Sequence, residues 1–314
     1  MKWKKIENKG ESNLLRKVRI LVVGALCLGV VSGCGTKASE VALVSGVGEK
    51  AVEAKAEVNK SISLVDGRNG KEVKKIDLAS LGYFEDEKTF KKEVSKVVSE
   101  IAKSVDTKMV PSRMKDGTWV EGKPAYELME KELVDKLTNV GMWDSTYQLP
   151  IVEKKPVATA EAGNGNGPVI GRYETNLGGS TGGRIENIRL SASTVNGVVL
   201  GKGDRFSFNA LIGDTTPDKG YQLGKEIVDG KLVDGYGGGV CQTSSTLFNA
   251  ADQAGLKMVE RSTHSKEVGY VPKGRDATIA YPYLDLVFEN ASENPVKLVM
   301  YLDGQKLVAE VRGV

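Results

Sequence analysis

Two side chains are rare enough here to invite a chemical reading. The chain has three cysteines and one histidine; Cys241 lies in its C-terminal half, and His264 follows 23 positions later. Cys241 sits in Gly237-Gly238-Gly239-Val240-Cys241-Gln242-Thr243-Ser244-Ser245-Thr246, where three glycines lead into a helix-like run that ends near Gly255. Glycine permits positive φ and close backbone approach. A thiol in the first turn of a helix faces unpaired N–H groups and the positive end of the dipole, both of which favour the thiolate. An imidazole titrates near neutral pH, so it can take a thiol proton and return it to a leaving amine. The pair therefore reads as a cysteine nucleophile with a histidine base, against the blander alternative of a buried cysteine after a flexible turn.

Further residues complete this reading. Asp276 or Asp285 would orient the imidazole, as a third group does in nucleophile–base systems. Arg275 suits a bidentate hold on a substrate carboxylate, although an ordinary Arg–Asp pair at a strand start explains it equally well. N–H groups near Val240, Cys241 and Gln242 would form an oxyanion hole, with Gly239, Gln242 and Ser244 beside the substrate. Ser244 and Ser245 are weaker nucleophile candidates, because hydroxyls inside a helix more often bond backbone. One histidine and one cysteine do not complete a zinc site without carboxylates, so no metal and no other cofactor is expected.

The N-terminus bears on the cysteine count. Lys2, Lys4, Lys5, Arg16, Lys17 and Arg19 precede the apolar run Ile20–Val31, which is too short for a stable membrane span and suits a signal-peptide core. The run closes Val31-Ser32-Gly33-Cys34, a pattern similar to the lipobox of bacterial lipoproteins, in which the cysteine carries the lipid. With Cys27 removed and Cys34 lipidated, Cys241 would be the one thiol left, with no partner cysteine in its own chain. The expected location is therefore outside the cytoplasm, on a lipid anchor, the alternative being an uncleaved apolar anchor in which Cys34 is incidental. A net charge of +3, from 44 basic and 41 acidic residues, gives no reason to propose nucleic acid.

The elements that must position these residues follow from the pattern. Residues 1–33 read as the signal peptide and 34–70 as a polar spacer. Residues 71–152 read as a small α+β domain, with one helix carrying Phe90, Val94, Val98, Ile101 and Val105 and a second opening at Pro124. Residues 153–169, rich in Gly, Asn and Pro, read as a linker. Residues 170–314 read as mostly β with two or three helices, among them one around Arg184–Thr194 and one over Cys241–Ala254; a long strand is expected over 276–288 and a hairpin at Asp303-Gly304. The whole is of the α+β class.

The segment from about Tyr173 to Val311 resembles the VanW family, through Gly237-Gly238-Gly239-Val240-Cys241-Gln242 with Ser244-Ser245-Thr246, His264-Ser265, Gly274-Arg275-Asp276-Ala277-Thr278 and Tyr283-Leu284-Asp285-Leu286. Residues 75 to 155 resemble more loosely the peptidoglycan-binding domain often found upstream of VanW domains. The resemblance implies partners among peptidoglycan stem peptides and, by analogy with some members, L,D-transpeptidation: Cys241 would attack the carbonyl of a donor stem's third residue, and an acceptor amine would resolve the thioester. The His…Ser-His-Gly-Cys signature of the YkuD-type enzymes is absent. A non-catalytic peptidoglycan-binding or envelope-organising module, and a cysteine peptidase or amidase, remain the alternatives.

Overall fold

The computed structural model describes residues 60–228 and 231–314. The basic leader, the apolar run, Cys34 and the first part of the spacer lie outside the described residues. The first half of the body contains β1 (Ser61–Asp66), β2 (Lys71–Asp77), α1 (Glu87–Val105), β3 (Arg113–Lys115), β4 (Thr118–Val120), β5 (Ala125–Leu128), α2 (Glu130–Thr138), β6 (Thr146–Gln148) and β7 (Ile151–Lys154). β1 pairs antiparallel with β2 and parallel with β6, while β3–β4 and β5–β7 are separate antiparallel pairs. α1 starts where the Asp86 carboxylate accepts the Thr89 N–H at 2.8 Å, satisfying one of the orphan donors of the first turn. Phe90, Val94, Val98, Ile101 and Val105 then recur every three to four residues and are buried with Leu133 and Leu137 of α2 and Ile62 and Leu64 of β1.

Three expectations for this half change. The described residues already hold a strand, β1, upstream of the boundary expected at 71, because Ile62 and Leu64 alternate with Ser61 and Ser63 and put their side chains into the core. The stretch after Pro124 is the strand β5 rather than the first turn of a helix. Tyr126 N–H donates to Thr107 Oγ1 at 3.0 Å and residues 125–128 pair with 151–154, so α2 starts only at Glu130. The presumed linker is pinned rather than loose. Val157 and Ala158 N–H donate to the Asp204 carboxylate at 2.9 and 3.1 Å, and Gly163 in α3 (Ala160–Asn164) is buried against Met114 and Trp119.

The second half comprises β8 (Val169–Asn176), α4 (Gly182–Val195), β9 (Val199–Leu200), β10 (Arg205–Ser207), α5 (Phe208–Ile212), β11 (Leu223–Val228), β12 (Lys231–Tyr236), α6 (Val240–Gln253), β13 (Lys257–Glu260), β14 (Val287–Glu289), β15 (Val296–Asp303) and β16 (Lys306–Gly313). A four-stranded sheet in the order β8-β16-β15-β9 carries the C-terminal hairpin at its centre, a three-stranded sheet runs β10-β14-β13, and β11–β12 form a separate hairpin. Their inner faces meet α4 and α6 in a second core around Phe206, Phe208, Phe288, Ile188, Leu247 and Leu298, with the Phe206 and Phe288 rings stacked at 4.7 Å. Mixed helix and sheet in both halves make the fold α+β. The long strand expected over 276–288 is mostly irregular, and regular pairing is confined to β14. Among the described residues no helix is long and apolar enough to cross a membrane.

The two halves share contacts. Met114 N–H donates to Gly197 O and Val199 N–H to Ser112 O, both at 2.9 Å. Lys108 ion-pairs with Asp285 and Glu260 at 2.9 and 2.8 Å.

Candidate functional site

Gly239, at φ 111°, is the N-cap of α6. A Cβ there would lie about 3 Å from Arg184 and Ile188 of α4, and a Cβ on Gly238 would meet the Gly224 backbone at 2.5 Å. The glycines thus bring the first turn of α6 against the first turn of α4 and the base of the β11–β12 hairpin. Cys241 is half-buried in that first turn.

Downstream of Cys241, α6 buries polar side chains around most of its circumference. Gln242, Thr243, Ser244, Ser245, Thr246 and Asn249 are all inaccessible, and each is hydrogen-bonded. A hidden polar side chain costs stability unless it finds a partner. Much of the bonding goes to the extended segment 275–279, which runs antiparallel to the helix. Asn249 Nδ2 donates to Arg275 O at 2.7 Å, Ser244 Oγ to Ala277 O at 2.6 Å, and Cys241 Sγ to Ile279 O at 3.5 Å, while Ala277 N–H donates to Ser245 Oγ at 2.9 Å. The spacing matches: eight helical residues rise roughly 12 Å and four extended residues roughly 13 Å, so every second carbonyl meets one helical turn or so.

Because the chain is extended, Asp276 points away from the face that holds Ala277. There its Oδ2 accepts both the His264 backbone N–H and the imidazole Nδ1, each at 2.6 Å. The Thr278 N–H bond to Ser262 O at 2.8 Å holds the two strands of this corner together. Burial works to raise the Asp276 carboxyl, but the backbone N–H and imidazole of His264 outweigh it and hold the carboxyl below its ordinary value. An ionised acceptor makes Nδ1 the donor, which leaves Nε2 as the proton-accepting atom of the ring. Both side chains are under a tenth exposed, and they line a cleft of about 390 Å³ with Thr263, Ser265, Val268 and Pro272.

The candidates therefore separate. His264 and Asp276 come together directly, whereas Cys241 sits on α6 and meets the segment that bears Asp276 only at Ile279 O, three residues further on. Tyr270 lies near both, its hydroxyl pushed well up by burial and by the neighbouring Cys241 and Asp276 charges. Asp285 does not orient the imidazole. It is fully buried, accepting from Ser207 Oγ at 2.6 Å and Asn209 N–H at 2.9 Å at the start of α5, and pairing with Lys108. Arg275 is turned to α6, where its Nε donates to Asn249 Oδ1 at 2.7 Å and its Nη2 pairs with Asp252 at 2.8 Å. Ser244 is a strap on the 277 carbonyl. Gln242 is buried, accepting from Arg184 Nη2 at 2.6 Å and donating to Thr175 Oγ1 and Asn176 O.

Arg184 and Tyr270, both beside the thiol, escaped sequence reasoning. Arg184 had one usable signal: it is a cation in the first turn of its own helix, where the dipole disfavours positive charge. Tyr270 had none. Among the described residues no group of three or more His, Cys, Asp or Glu side chains is arranged to hold a metal ion.

What these parts define is an α+β protein with a thiol at a helix N-terminus and a His–Asp pair on the neighbouring segment. Residues 183–312 match the family described as VanW like protein. Over 206 residues the chain is 35% identical to YoaR of Bacillus subtilis strain 168, itself described as uncharacterized, covering 64% of this chain and 68% of that one. Over 133 residues it is 32% identical to the vancomycin B-type resistance protein VanW of Enterococcus faecalis strain ATCC 700802 / V583, covering 41% of this chain and 48% of that one. The chain belongs to the VanW-like family. No solved structure matches it.

Proposed function

We propose that the protein works in the cell envelope on peptidoglycan stem peptides, held to the outer face of the cytoplasmic membrane through a lipid on Cys34, and that Cys241 is the nucleophile of an L,D-transpeptidase. The observation that carries this reading is the placement of the one thiol among the described residues, half-exposed in the first turn of α6 and bonded to Ile279 O of the segment that also bears Asp276, the partner of His264. The name of the Enterococcus relative, a vancomycin resistance protein, favours a substrate in the cell wall.

In this mechanism the Cys241 thiolate attacks the carbonyl carbon of the donor stem's third residue. The C–N bond to the terminal residue breaks, and the protonated imidazole of His264 supplies the proton that the leaving amine needs. An acceptor side-chain amine then adds to the thioester, gives its proton to Nε2, and expels the thiolate. The N–H groups at the start of α6 are the donors available to the oxyanion. Asp276 keeps Nδ1 occupied, so Nε2 is the atom that moves the proton.

A second reading draws on one observation. The Cys241 thiol joins Ser244, Ser245 and Asn249 in strapping down residues 275–279, which is a structural use of the same atom and fits a peptide-binding module. Incubation with purified disaccharide tetrapeptide, followed by chromatography and mass analysis, separates these. A 3–3 cross-linked dimer from the wild type and none from Cys241→Ala supports transfer, and tripeptide alone indicates a peptidase. Neither product, with muropeptide binding equal in both proteins, leaves the binding module.

A further inference from the structure

Arg184 is held in place by neutral groups. Its Nη2 donates to Gln242 Oε1 at 2.6 Å, its Nε to Ser180 Oγ at 3.2 Å, and its guanidinium carbon lies 5.9 Å from the centre of the Tyr270 ring. No carboxylate among the described residues lies within ion-pair distance of it; Arg113 and Arg261 share that lack but donate to backbone carbonyls, and Arg68, Arg172, Arg189, Arg205, Arg275 and Arg312 each have a carboxylate. A half-buried cation without a counter-anion is costly. Its position adds to that cost, since it lies in the first turn of α4 and abuts the first turn of α6, and neither turn contains an acidic residue. Two positive helix ends and one guanidinium thus meet beside the Cys241 thiol. The remaining groups at this corner do not cancel that charge. Tyr270 is neutral, β8 presents the uncharged Thr175 and the Asn176 carbonyl to Gln242, and the Asp276 carboxylate is committed to His264. Burial lowers the Arg184 value, and the neighbouring Tyr270 and Cys241 act in the opposite direction, as groups that favour the cation do.

We infer that Arg184 is the positioning residue that holds Cys241 as a thiolate, with Gln242 as the clamp that fixes the guanidinium against the first turn of α6. A residue that served only packing would be cheaper as an uncharged side chain, so the unbalanced charge points to an anion that the site creates: the thiolate. The inference rests on Cys241 being the nucleophile, and it adds what makes that thiol reactive near neutral pH. Local rules of helix electrostatics broken without a nearby compensation mark functional positions.

The test is the pH dependence of iodoacetamide modification of the full-length protein, read on the peptide that contains Cys241 and therefore blind to Cys27 and Cys34. The wild-type midpoint should fall well below the ordinary thiol value of about 8.5. Arg184→Met should raise it by about one to two pH units, a loss on the order of 10- to 100-fold in rate at neutral pH, while Arg184→Lys should recover part of the shift. If Arg184→Met does not fold, Arg184→Gln, which keeps hydrogen bonding without the charge, makes the same comparison. A depressed wild-type midpoint that neither uncharged variant moves overturns the role of Arg184 and leaves the nucleophile standing. A wild-type midpoint at the ordinary value overturns both.

Discussion

The helices α1 and α6 are built on opposite plans. α1 buries an apolar stripe and turns Lys and Glu to water, so any residue with the right hydrophobic period would serve it. α6 is closed in on nearly all sides, and half of what it buries is polar: Gln242, Thr243, Ser244, Ser245, Thr246 and Asn249. Each of those groups had to find a specific partner, because the interior does not forgive an unpaired one. The contrast separates two uses of a helix. α1 supplies core, whereas α6 fixes the position of one segment, residues 275–279, and through it the relation between Cys241, Asp276 and His264.

Substitutions should sharpen this contrast, beginning with the largest effect. Cys241→Ala should lower transfer to stem peptides by on the order of 10³-fold or more, while its unfolding free energy stays within about 1 kcal/mol of wild type; turnover and urea titration measure the two. Asp276→Asn should cost about 10²- to 10⁴-fold in rate, since the amide no longer fixes the imidazole tautomer. The same variant carries a pH signature. The folded Asp276 carboxyl lies below its ordinary value of 3.8, so its stabilisation is present above that value and is lost as pH falls through the folded one. Wild-type stability should therefore drop more steeply than that of Asp276→Asn below about pH 4, as urea midpoints at stepped pH would record.

In the first half, Leu133→Ala should cost about 2–5 kcal/mol with an unchanged midpoint for Cys241 alkylation. Asn249→Ala should cost about 1–3 kcal/mol and, unlike Leu133→Ala, also slow turnover, because it frees the 275 end of the segment that carries Asp276. Equal turnover in the two variants would break the distinction between core and positioning helices. Glu93→Ala, which removes an exposed i,i+3 pair with Lys96, should change stability by no more than about 0.5 kcal/mol.

How much of this could be read from the sequence differs between the same two helices. The apolar period of α1 is visible in Phe90, Val94, Val98, Ile101 and Val105, and the glycines before Cys241 mark the start of α6. The hairpin at Asp303-Gly304 was equally plain. The role of Pro124 was not, because a proline suits the first turn of a helix and the entry to a strand alike, and only the pairing of β5 with β7 decides. At the site, rarity pointed to Cys241 and His264, but two aspartates stood as equals. Asp276 lies between Arg275 and Ala277 and Asp285 between Leu284 and Leu286, neither setting names a partner, and only the fold sends one to His264 and the other to Ser207, Asn209 and Lys108. Arg275, which looked placed for a substrate, is taken by Asn249 and Asp252. Arg184 lies 57 residues before Cys241, and no local period links residues that far apart.

The most direct measurement is the intact mass of the protein, acid-quenched during reaction with a tetrapeptide-stem muropeptide, with the adduct mapped by peptide analysis. The account predicts a mass gain equal to the donor less its terminal residue, carried on Cys241 and absent from Cys241→Ala. A protein that forms cross-linked product without that adduct, or that carries the same adduct after Cys241→Ala, would contradict it.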